Sequence, residues 1–360
     1  MKRRVVVAMS GGVDSSVAAA ILSEQGYDVV GVAMRLADGG DGPSYRARRG
    51  ACCSYEDFED ARRVAERLGF PFYVVDMREE FENRVIGNFV SEYLAGRTPN
   101  PCVMCNREIK FDRLWERARA LDADFIATGH YARIERCPCG EYRLMRAEDS
   151  SKDQSYFLFS MNQSQLSRTL FPLGAMTKAD VRHRARLLEL VNADKAESQE
   201  ICFVADNDYA GFVERAAGDA IRTGNVVGSN GAVLSRHNGI HRFTVGQRRG
   251  LGIAAGEPLY VREIRPGTGD VVVAPSSELR SRGLVAREVS MVRDPASDSI
   301  AIEARIRYRH PDIPATLRMG SDRRAEVIFD NGGPAVTPGQ ACVFYNGNEV
   351  LGGGFIESAL

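Results

Sequence analysis

The sequence predicts an α/β protein with an N-terminal parallel-sheet domain, followed by a small central β-rich domain and a C-terminal β-barrel. Three observations support this prediction. Up to about Asp206, short apolar runs alternate with helical segments, which is typical of a parallel sheet covered by helices. A glycine- and serine-rich stretch joins the first apolar run to the first helical segment. After Asp206, short β segments separated by glycine-rich turns take over, as in small sheets and barrels.

The N-terminal elements can be assigned in order from hydrophobic periodicity and from glycines that end helices. They are a strand at Val5–Met9, a helix at Ser15–Gln25, a strand at Val29–Met34, a helix at Tyr55–Leu68, a strand in FPFYVVD (70–76), a helix at Arg107–Ala120, a buried strand in ADFIATGHYA (123–132), a hairpin turning at Pro138–Gly140, and a helix at Thr177–Leu190. The stretch Asp38–Gly50 is predicted to be a mobile loop.

Length and composition limit the possible classes of protein. A chain of 360 residues is longer than one ordinary core, so two or three domains are expected. We place their boundaries at 1–205, 206–275 and 276–360. With 44% hydrophobic and 26% charged residues, the composition is that of a soluble globular protein.

Location and charge can be argued from the same composition. No apolar run approaches the ~20 residues of a membrane helix, and the start MKRRVVVAM lacks a cleavage site, so we expect a cytoplasmic protein without a membrane partner. The net charge of −1 gives no global attraction to nucleic acid. Eight cysteines in such a protein favour metal, redox or thiolate chemistry over a disulfide framework.

The stretch SGGVDSS (10–16) is predicted to form an anion-binding loop. Gly11 and Gly12 can adopt positive φ, and successive N–H groups before a helix form a nest for an anion. The three serines can donate hydroxyl groups, and Asp14 can hold Mg²⁺. The stretch lacks the lysine of a Walker A motif, which disfavours transfer of a γ-phosphoryl group. The simpler alternative is a serine-capped helix after a glycine turn.

Three cysteines are candidates for thiol chemistry. Cys102 and Cys105 form a C-x-x-C before a basic helix in NPCVMCNREIKF, and such a position lowers the pKa of a thiol. Cys202 stands between apolar residues in ESQEICFV. Two alternatives stay open. One is a zinc site, which needs a second cysteine pair, and only Cys137 and Cys139 are available. The other is that Cys202 is a small buried hydrophobe.

Seven stretches taken together resemble the tRNA-specific 2-thiouridylase family of the N-type ATP pyrophosphatases. In chain order they are AMSGGVDSS, TPNPCVMCNREIKF, ATGHYA, SKDQSYFL, ESQEICF, GIHRFTVGQRRGLGI and PGQACVFY. The resemblance implies an adenine nucleotide alpha hydrolase-like fold with 1–205 as the catalytic domain, and ATP and Mg²⁺ as cofactors. It also implies tRNA as substrate and an upstream sulfur donor, either a cysteine desulfurase or a persulfide carrier protein. A loop of this family holds a leaving pyrophosphate, so it needs no Walker lysine.

The resemblance also implies roles for individual positions. Cys105 matches the nucleophile, Cys202 matches the residue that carries a persulfide, and Asp14 is placed with them as catalytic. The positions implied to surround ATP are Ala8, Met9, Ser10, Gly11, Gly12, Val13, Asp14, Ser15, Met34 and Gly129. Those implied to meet the target base or the tRNA are Asn100, Pro101, Cys102, His130, Lys152, Asp153, Gln154, Arg307, Tyr308 and Gln340.

The implied reaction is the 2-thiolation of the wobble uridine. The C2 carbonyl is adenylated with release of pyrophosphate, the Cys202 persulfide attacks C2, and AMP leaves. Cys105 then breaks the sulfur–sulfur link and forms a disulfide with Cys202. Alternatively, Cys105 first releases the sulfur as hydrosulfide. Some family members have aspartate where this chain has Cys102, so Cys102 gives a third thiolate near the site, and the three cysteines could instead hold a [4Fe–4S] cluster with one open iron. The alternative is that Cys102 is a bystander or a resolving thiol.

The segment AIEARIRYR (301–309) alternates between apolar and charged residues. Read as one strand, it places Arg305, Arg307 and Arg309 on one face at intervals of ~6.6 Å, which suits a row of phosphates. The alternative is an ordinary solvated face of the barrel.

Two other functions are compatible with the anion-binding loop. One is an amide-forming ligase that acts on a small metabolite with ammonia as nucleophile. The other is an RNA-binding protein without catalysis that retains a relic nucleotide site.

Overall fold

The computed structural model describes residues 2–37, 55–197, 201–204, 207–295 and 297–360. The chain divides into two compact units. The first comprises residues 1–85, 102–207 and 348–350, and the second comprises 86–101, 208–347 and 351–360. The loop predicted at 38–50, the cysteines at 52 and 53, and the predicted boundary at 205/206 lie outside the described residues.

Seven strands lie in the part of the first unit that the structure describes. In chain order they are β1 (Arg4–Ala8), β2 (Asp28–Arg35), β3 (Phe72–Asp76), β4 (Phe125–Ala127), β5 (Ala132–Arg136), β6 (Tyr142–Arg146) and β7 (Thr169–Leu170). Five of them form a sheet in the order β3-β2-β1-β4-β7, and every pairing between them is parallel. The strand order reverses between β1 and β4, and ligands of open α/β sheets bind at the carboxyl ends of strands at such a point.

Nine α-helices are found in the described residues. They are α1 (Val13–Glu24), α2 (Tyr55–Leu68), α3 (Arg78–Phe81), α4 (Gly87–Leu94), α5 (Pro101–Met104), α6 (Leu114–Arg119), α7 (Gln163–Leu166), α8 (Lys178–Leu187) and α9 (Tyr209–Ala217). The segments Glu82–Ile86 and Cys105–Arg113 have π-helical hydrogen bonds. No helix among the described residues is long and apolar enough to cross a bilayer.

The core of the first unit fixes the position of α1. Val17 of α1, Val64 of α2 and Val181 of α8 belong to one buried cluster with Val5 and Val7 of β1. Burial of these apolar side chains is the main favourable term for this packing. As a result, the amino end of α1 and the amino end of α8 are held over the same sheet.

The second unit contains two β structures. Its strands are β8 (Gly224–Gly228), β9 (Val233–His237), β10 (Leu259–Arg265), β11 (Asp270–Pro275), β12 (Ser281–Met291), β13 (Ser299–Arg305), β14 (Ile313–Met319), β15 (Ala325–Gly333), β16 (Ala341–Asn346) and β17 (Glu349–Ala359). A four-stranded sheet has the order β10-β11-β8-β9, and the strands β12-β15-β14-β13-β16-β17 close into a barrel through the β12–β17 pairing.

The fold class predicted from the sequence is confirmed, since a parallel α/β sheet is followed by a small sheet and a closed barrel. Helix α2 has the predicted limits. Helix α9 was not predicted; it lies in the second unit, where Phe212 packs on Phe89 at 6.0 Å between ring centroids.

The predicted arginine strand is wrong beyond Arg305, where β13 ends. Residues 307–310 form a turn, so Arg307 and Arg309 do not continue the regular spacing. The carboxylate of Asp312 accepts a hydrogen bond of 2.7 Å from Arg305 Nε, which holds Arg305 within the barrel's own ion pairs.

Candidate active site

The loop between β1 and α1 has the shape of an anion cradle. Gly11 has a φ of +72°, and a Cβ built on it would lie 2.3 Å from the carbonyl oxygen of Asp57. Only glycine fits this position. Helix α1 begins after Gly12, and its amino end has no side-chain cap. Uncapped N–H groups at a helix start attract anions, so the simpler alternative of a serine-capped helix is wrong.

The serines of the loop brace it from within. Ser10 N donates to Ser15 Oγ at 3.2 Å, and Ser15 Oγ and Ser16 Oγ each donate to the Gly12 carbonyl at 3.1 Å. Gly129, which follows β4, packs against the first turn of α1, because a Cβ there would lie 2.7 Å from Ser15 N. The backbone of the loop is therefore in close contact with Asp57 near Gly11 and with Gly129 near Ser15.

Two polar side chains outside the loop also donate hydrogen bonds to the cradle. Asn192, which is only 2% exposed, donates from Nδ2 to the Gly11 carbonyl at 3.0 Å and to Ser16 Oγ at 2.9 Å. Lys195 Nζ donates to the same carbonyl at 3.3 Å and to Asp57 Oδ1 at 2.6 Å. These bonds fix the orientation of the Gly11 peptide.

The cation that the loop itself lacks is supplied by α8. Lys178 Nζ donates to Asp14 Oδ1 at 2.8 Å and to Asp14 Oδ2 at 2.7 Å, with a side chain only 11% exposed. Tyr131 donates its hydroxyl to Asp14 Oδ1 at 2.7 Å. Burial, and next the Asp14 charge, raise the pKa of Tyr131 well above its ordinary value, so the phenol stays a donor.

Glu197 extends this charge network toward the cysteine segment. Its carboxylate accepts a hydrogen bond from Lys152 Nζ at 2.7 Å and pairs with Lys178 Nζ at 3.0 Å. Burial alone would raise the pKa of Glu197, but the bonds from the two lysines outweigh it and hold the pKa below its ordinary value. Asp14, Lys178 and Glu197 thus form a continuous chain of alternating charge.

The C-x-x-C stands where α5 runs into the segment Cys105–Arg113. Cys102 is exposed and Cys105 is partly buried. One turn beyond Cys105, Glu108 accepts hydrogen bonds of 2.8 Å from Arg84 and Arg107. The bond from Arg84 ties the start of the segment to the residues that follow α3.

Cys202 is partly buried and lies in a short stretch linked to both parts of the site. The adjacent Phe203 packs edge-on against Phe81 of α3, with 5.7 Å between ring centroids. On the other side, Cys202 follows Glu197 by five residues, a span of at most about 18 Å of extended chain. The described residues on either side in sequence therefore contact the charge network of the cradle, through Glu197, and helix α3, through Phe203.

The other residues predicted to surround ATP differ in exposure. Ala8, Met9 and Val13 are buried in the core, so only their backbone groups can face a ligand. Met34 lies near the end of β2 and is partly buried.

The residues of the first unit predicted to contact tRNA occupy different environments. His130 is buried, with Thr128 Oγ1 at 2.7 Å from Nδ1, and burial, with a smaller effect of Lys110, holds the pKa of its imidazole well below its ordinary range. Asp153 is buried and accepts from Ser155 Oγ at 2.9 Å. Gln154 pairs with the backbone of Tyr131. Lys152 alone of these side chains has a cationic group near the cradle network.

In the second unit, Gln340 Nε2 donates to the carbonyls of Thr98 and Pro99 at 3.0 and 3.3 Å. It thereby holds the chain directly before Asn100 and Pro101. Arg307 donates to Thr337 Oγ1 at 2.6 Å, and Tyr308 lies in the turn after β13. Their predicted contacts with the substrate stay predictions.

Lys178, Asn192, Lys195 and Glu197 were missed by sequence reasoning. The only local signal is the capping box at the start of α8, where Thr177 and Asp180 bond each other's backbone N–H groups, which predicts a helix start at Lys178. Nothing in the sequence relates that start to the glycine loop.

The structure places the metal-ligating side chains differently from the zinc site considered in the sequence analysis. A group of three metal-ligating side chains lies close together in the described part of the chain, and it consists of Cys137, Cys139 and Glu141. Cys102 and Cys105 are not part of it. Cys137 and Cys139 are joined by a disulfide, although the composition led us to expect no disulfide framework.

Comparison with known proteins gives matches along the whole chain. A family model described as the tRNA methyl transferase HUP domain matches residues 3–206. Models described as the tRNA methyl transferase PRC-barrel domain and the aminomethyltransferase beta-barrel domain match 210–275 and 281–356.

Two curated relatives are similar over their full length. The tRNA-specific 2-thiouridylase MnmA of Geotalea uraniireducens is 53% identical over 100% of this chain and 96% of its own. That of Geobacter metallireducens is 51% identical over 100% of this chain and 98% of its own. The solved NMN synthetase of Francisella tularensis aligns with 60% of this chain and 77% of its own at 15% identity and a TM-score of 0.33.

Proposed function

This chain belongs to the tRNA-specific 2-thiouridylase family, and from that premise we propose that it transfers sulfur to C2 of the wobble uridine of tRNA with consumption of ATP. One observation supports the proposal: Glu197, five residues before Cys202, pairs with Lys178 of the anion cradle, and Phe203, next to Cys202, packs on Phe81 of α3. The reaction requires an activated carbonyl and a sulfur carrier in one site.

The cradle suits the pyrophosphate part of ATP. Its uncapped helix start and the close approach at Gly11 provide backbone donors for phosphate oxygens. Lys178 provides a positive charge in place of a Walker lysine. Met34 and Gly129, at the carboxyl ends of the strands β2 and β4 that flank β1, are the proposed contacts of the nucleoside part.

Asp14 is the proposed ligand of Mg²⁺. A carboxylate oxygen is the ligand type that Mg²⁺ prefers, together with phosphate oxygens. When bound, the ion would neutralise the charge of the leaving pyrophosphate. In the structure, Lys178 Nζ donates to both carboxylate oxygens of Asp14. In the complex with ATP, its ammonium group would instead contact the phosphates.

The proposed chemistry has two stages. The C2 oxygen attacks the α-phosphorus of ATP, and the bond to pyrophosphate breaks. The terminal sulfur of the Cys202 persulfide then attacks C2, and AMP leaves with the former carbonyl oxygen. The thiolate of Cys105 attacks Cys202 Sγ, so the transferred sulfur stays on C2 and a Cys105–Cys202 disulfide forms. A thiol reductant restores both cysteines.

Two variants of the sulfur step are compatible with the residues. Cys105 could attack the persulfide first and release hydrosulfide as the nucleophile. Alternatively, Cys102, Cys105 and Cys202 could hold an iron–sulfur cluster.

The proposed partners follow from this chemistry. A persulfide on Cys202 requires a donor of sulfane sulfur, for which a cysteine desulfurase or a persulfide carrier protein is suitable. The target base must be unstacked to reach a thiolate, as RNA-modifying enzymes generally require. We place the reaction in the cytoplasm, where unmodified tRNA and ATP are available.

The family model's description offers methyl transfer as a second candidate. The cradle at Gly11 and Lys178 favours release of pyrophosphate, which a methyl transferase does not need. An amide-forming ligase would need the cradle but not Cys202. An RNA-binding protein without catalysis would form no product.

The test is incubation of the full chain with ATP, Mg²⁺, a persulfide donor and unmodified tRNA, followed by mass analysis of nucleosides. We expect 2-thiouridine and an equal amount of pyrophosphate. The Cys202→Ala variant should give none, whereas Cys342→Ala, a buried cysteine of the barrel, should retain the activity. Methylated uridine, or full product formation by Cys202→Ala, would refute the proposal. Pyrophosphate release that does not depend on tRNA would favour the ligase.

A further inference from the structure

A second group of reactive side chains lies in the turn between β5 and β6, and no step of the proposed reaction uses it. Cys137 Sγ, Cys139 Sγ and a carboxylate oxygen of Glu141 all lie within 4.8 Å of one another. Cys137 is 7% exposed, and the other two residues are exposed. The group is therefore anchored at one end and open to solvent at the other.

The turn holds these three residues in a fixed arrangement. Cys137 N donates to the Glu141 carbonyl at 2.8 Å, and Gly140 N donates to the Cys137 carbonyl at 2.9 Å. Gly140 has a φ of +94°, a conformation that favours glycine. The backbone thus brings the ligand-bearing residues together before any ion binds.

The ligand types select the metal. Two thiolates and one carboxylate are a sulfur–oxygen set that Zn²⁺ accepts, whereas Mg²⁺ and Ca²⁺ require oxygen ligands. A tetrahedral zinc with ordinary bond lengths separates two sulfurs by about 3.8 Å and a sulfur from an oxygen by about 3.5 Å. Cys139 Sγ already lies 3.8 Å from Glu141 Oε2. A water molecule would complete the four ligands.

The charge of such a site is balanced locally. Three negative ligands and one Zn²⁺ leave a single negative charge. Arg136 Nε donates to the Gly140 carbonyl at 3.3 Å, so its guanidinium group lies beside the turn and offsets that charge.

The redox state of the cysteines decides whether the ligands are available. The structure contains the Cys137–Cys139 disulfide with Cα atoms 5.2 Å apart. We propose that the reduced turn binds one Zn²⁺ through Cys137, Cys139 and Glu141, and that formation of the disulfide releases the ion. The protein would then carry a redox-controlled zinc site outside its active site.

Both directions of this switch are balanced reactions. A phosphine reductant takes up the oxygen of one water and converts the disulfide to two thiols, from which Zn²⁺ displaces two protons. In the reverse direction, a low-molecular-weight disulfide exchanges with the two zinc thiolates, leaving the Cys137–Cys139 disulfide, two released thiolates and free Zn²⁺.

The test measures zinc uptake by the full-length protein with a chromophoric chelator as competitor. Other cysteines are present in every sample, so the informative quantity is the difference between the wild type and the Cys137→Ser, Cys139→Ser double variant. After phosphine reduction we expect the wild type to bind one equivalent more, and before reduction no difference. Equal uptake by both reduced proteins, or the same difference before reduction, would overturn the proposal.

A second variant tests the carboxylate without altering the sulfurs. Glu141→Gln should lower the zinc affinity of the reduced protein by about tenfold or more. Glu135→Gln, on strand β5 of the same hairpin, is the matched control and should leave the affinity unchanged. Unchanged zinc affinity in Glu141→Gln would show that the carboxylate is not a ligand. Co²⁺ used as a probe should give thiolate-to-metal absorption in the wild type that the double cysteine variant lacks.

Discussion

Lys178 Nζ lies 2.7 Å from Asp14 Oδ2, although 164 residues separate the two in sequence. Lys178 brings to the glycine loop a cationic group that the loop's own sequence lacks. Because Lys178 also pairs with Glu197, the same ammonium group connects the cradle to the stretch that carries Cys202.

Replacing Lys178 with alanine should slow tRNA-dependent pyrophosphate release by about 10²-fold or more, the typical effect of losing one preorganised charge at a reacting group. Arg184→Ala is the matched control, since Arg184 lies on the same helix and pairs with Glu24 at the surface. Its rate should stay within about twofold of the wild type, because surface pairs contribute little. Similar rates for both variants would show that Lys178 does not act on the phosphates.

Gly11→Ala should abolish activity, because the new Cβ would meet the Asp57 carbonyl at 2.3 Å. Gly26→Ala is the control with a similar backbone conformation. Gly26 has a φ of +86°, and a Cβ there meets nothing within 4 Å, so the cost is about 1 kcal/mol of stability and activity should persist. Urea unfolding and product formation should be measured on both. An active Gly11→Ala enzyme would contradict the cradle.

Cys102→Ala separates the persulfide route from the cluster route. With a persulfide on Cys202, the variant should keep product formation within about tenfold of the wild type, because Cys102 forms no bond to sulfur in that route. With a three-cysteine cluster, the loss of one ligand should abolish activity. Product formation and bound iron should be determined on the same anaerobic preparation.

The Glu92 carboxylate should make the folding stability of the second unit sensitive to acid. Its carboxylate accepts hydrogen bonds from Arg97 at 2.6 Å and from Arg287 at 3.0 Å. Burial would raise the pKa of Glu92, but the two arginines hold it below its ordinary value. The stabilisation is therefore complete above the unfolded pKa of about 4.3 and is lost as the pH falls through the lower folded pKa.

Glu92→Gln should lower the free energy of unfolding at neutral pH by about 3 kcal/mol, because Arg97 and Arg287 lose the charge of a carboxylate whose side chain is only 9% exposed. Glu263→Gln, which removes an exposed pair with Arg265, should cost less than about 1 kcal/mol. Urea unfolding followed by circular dichroism at pH 7 and pH 4 measures both. If the two variants are equally stable at pH 7, the buried network does not stabilise this unit.

Local features of the fold could be predicted from the sequence. The strand, glycine loop and helix around residues 4–24 have strong local signals, namely β-branched runs, adjacent glycines and an alanine-rich helix. The alternation of the barrel segment predicted β13 correctly up to Arg305. It failed at Arg307, because a turn after the strand leaves the alternating pattern of the sequence unchanged.

Contacts over long sequence distances could not be predicted. Lys178, Asn192 and Lys195 reach the cradle from α8 and the turns after it, and only the packing of α8 against α1 and β1 brings them there. The resemblance implies a role for Cys202, which stays a prediction, but the contacts of Glu197 and Phe203 beside it carry no local signal in the sequence.

The most direct test of the account is the covalent state of the enzyme after one turnover without reductant. The persulfide-loaded enzyme should be mixed with ATP, Mg²⁺ and unmodified tRNA, alkylated and digested, and its peptides should be analysed by mass spectrometry. We expect a Cys105–Cys202 disulfide-linked peptide in equal amount to the 2-thiouridine formed. Formation of 2-thiouridine with both cysteines alkylated and no linked peptide would contradict it.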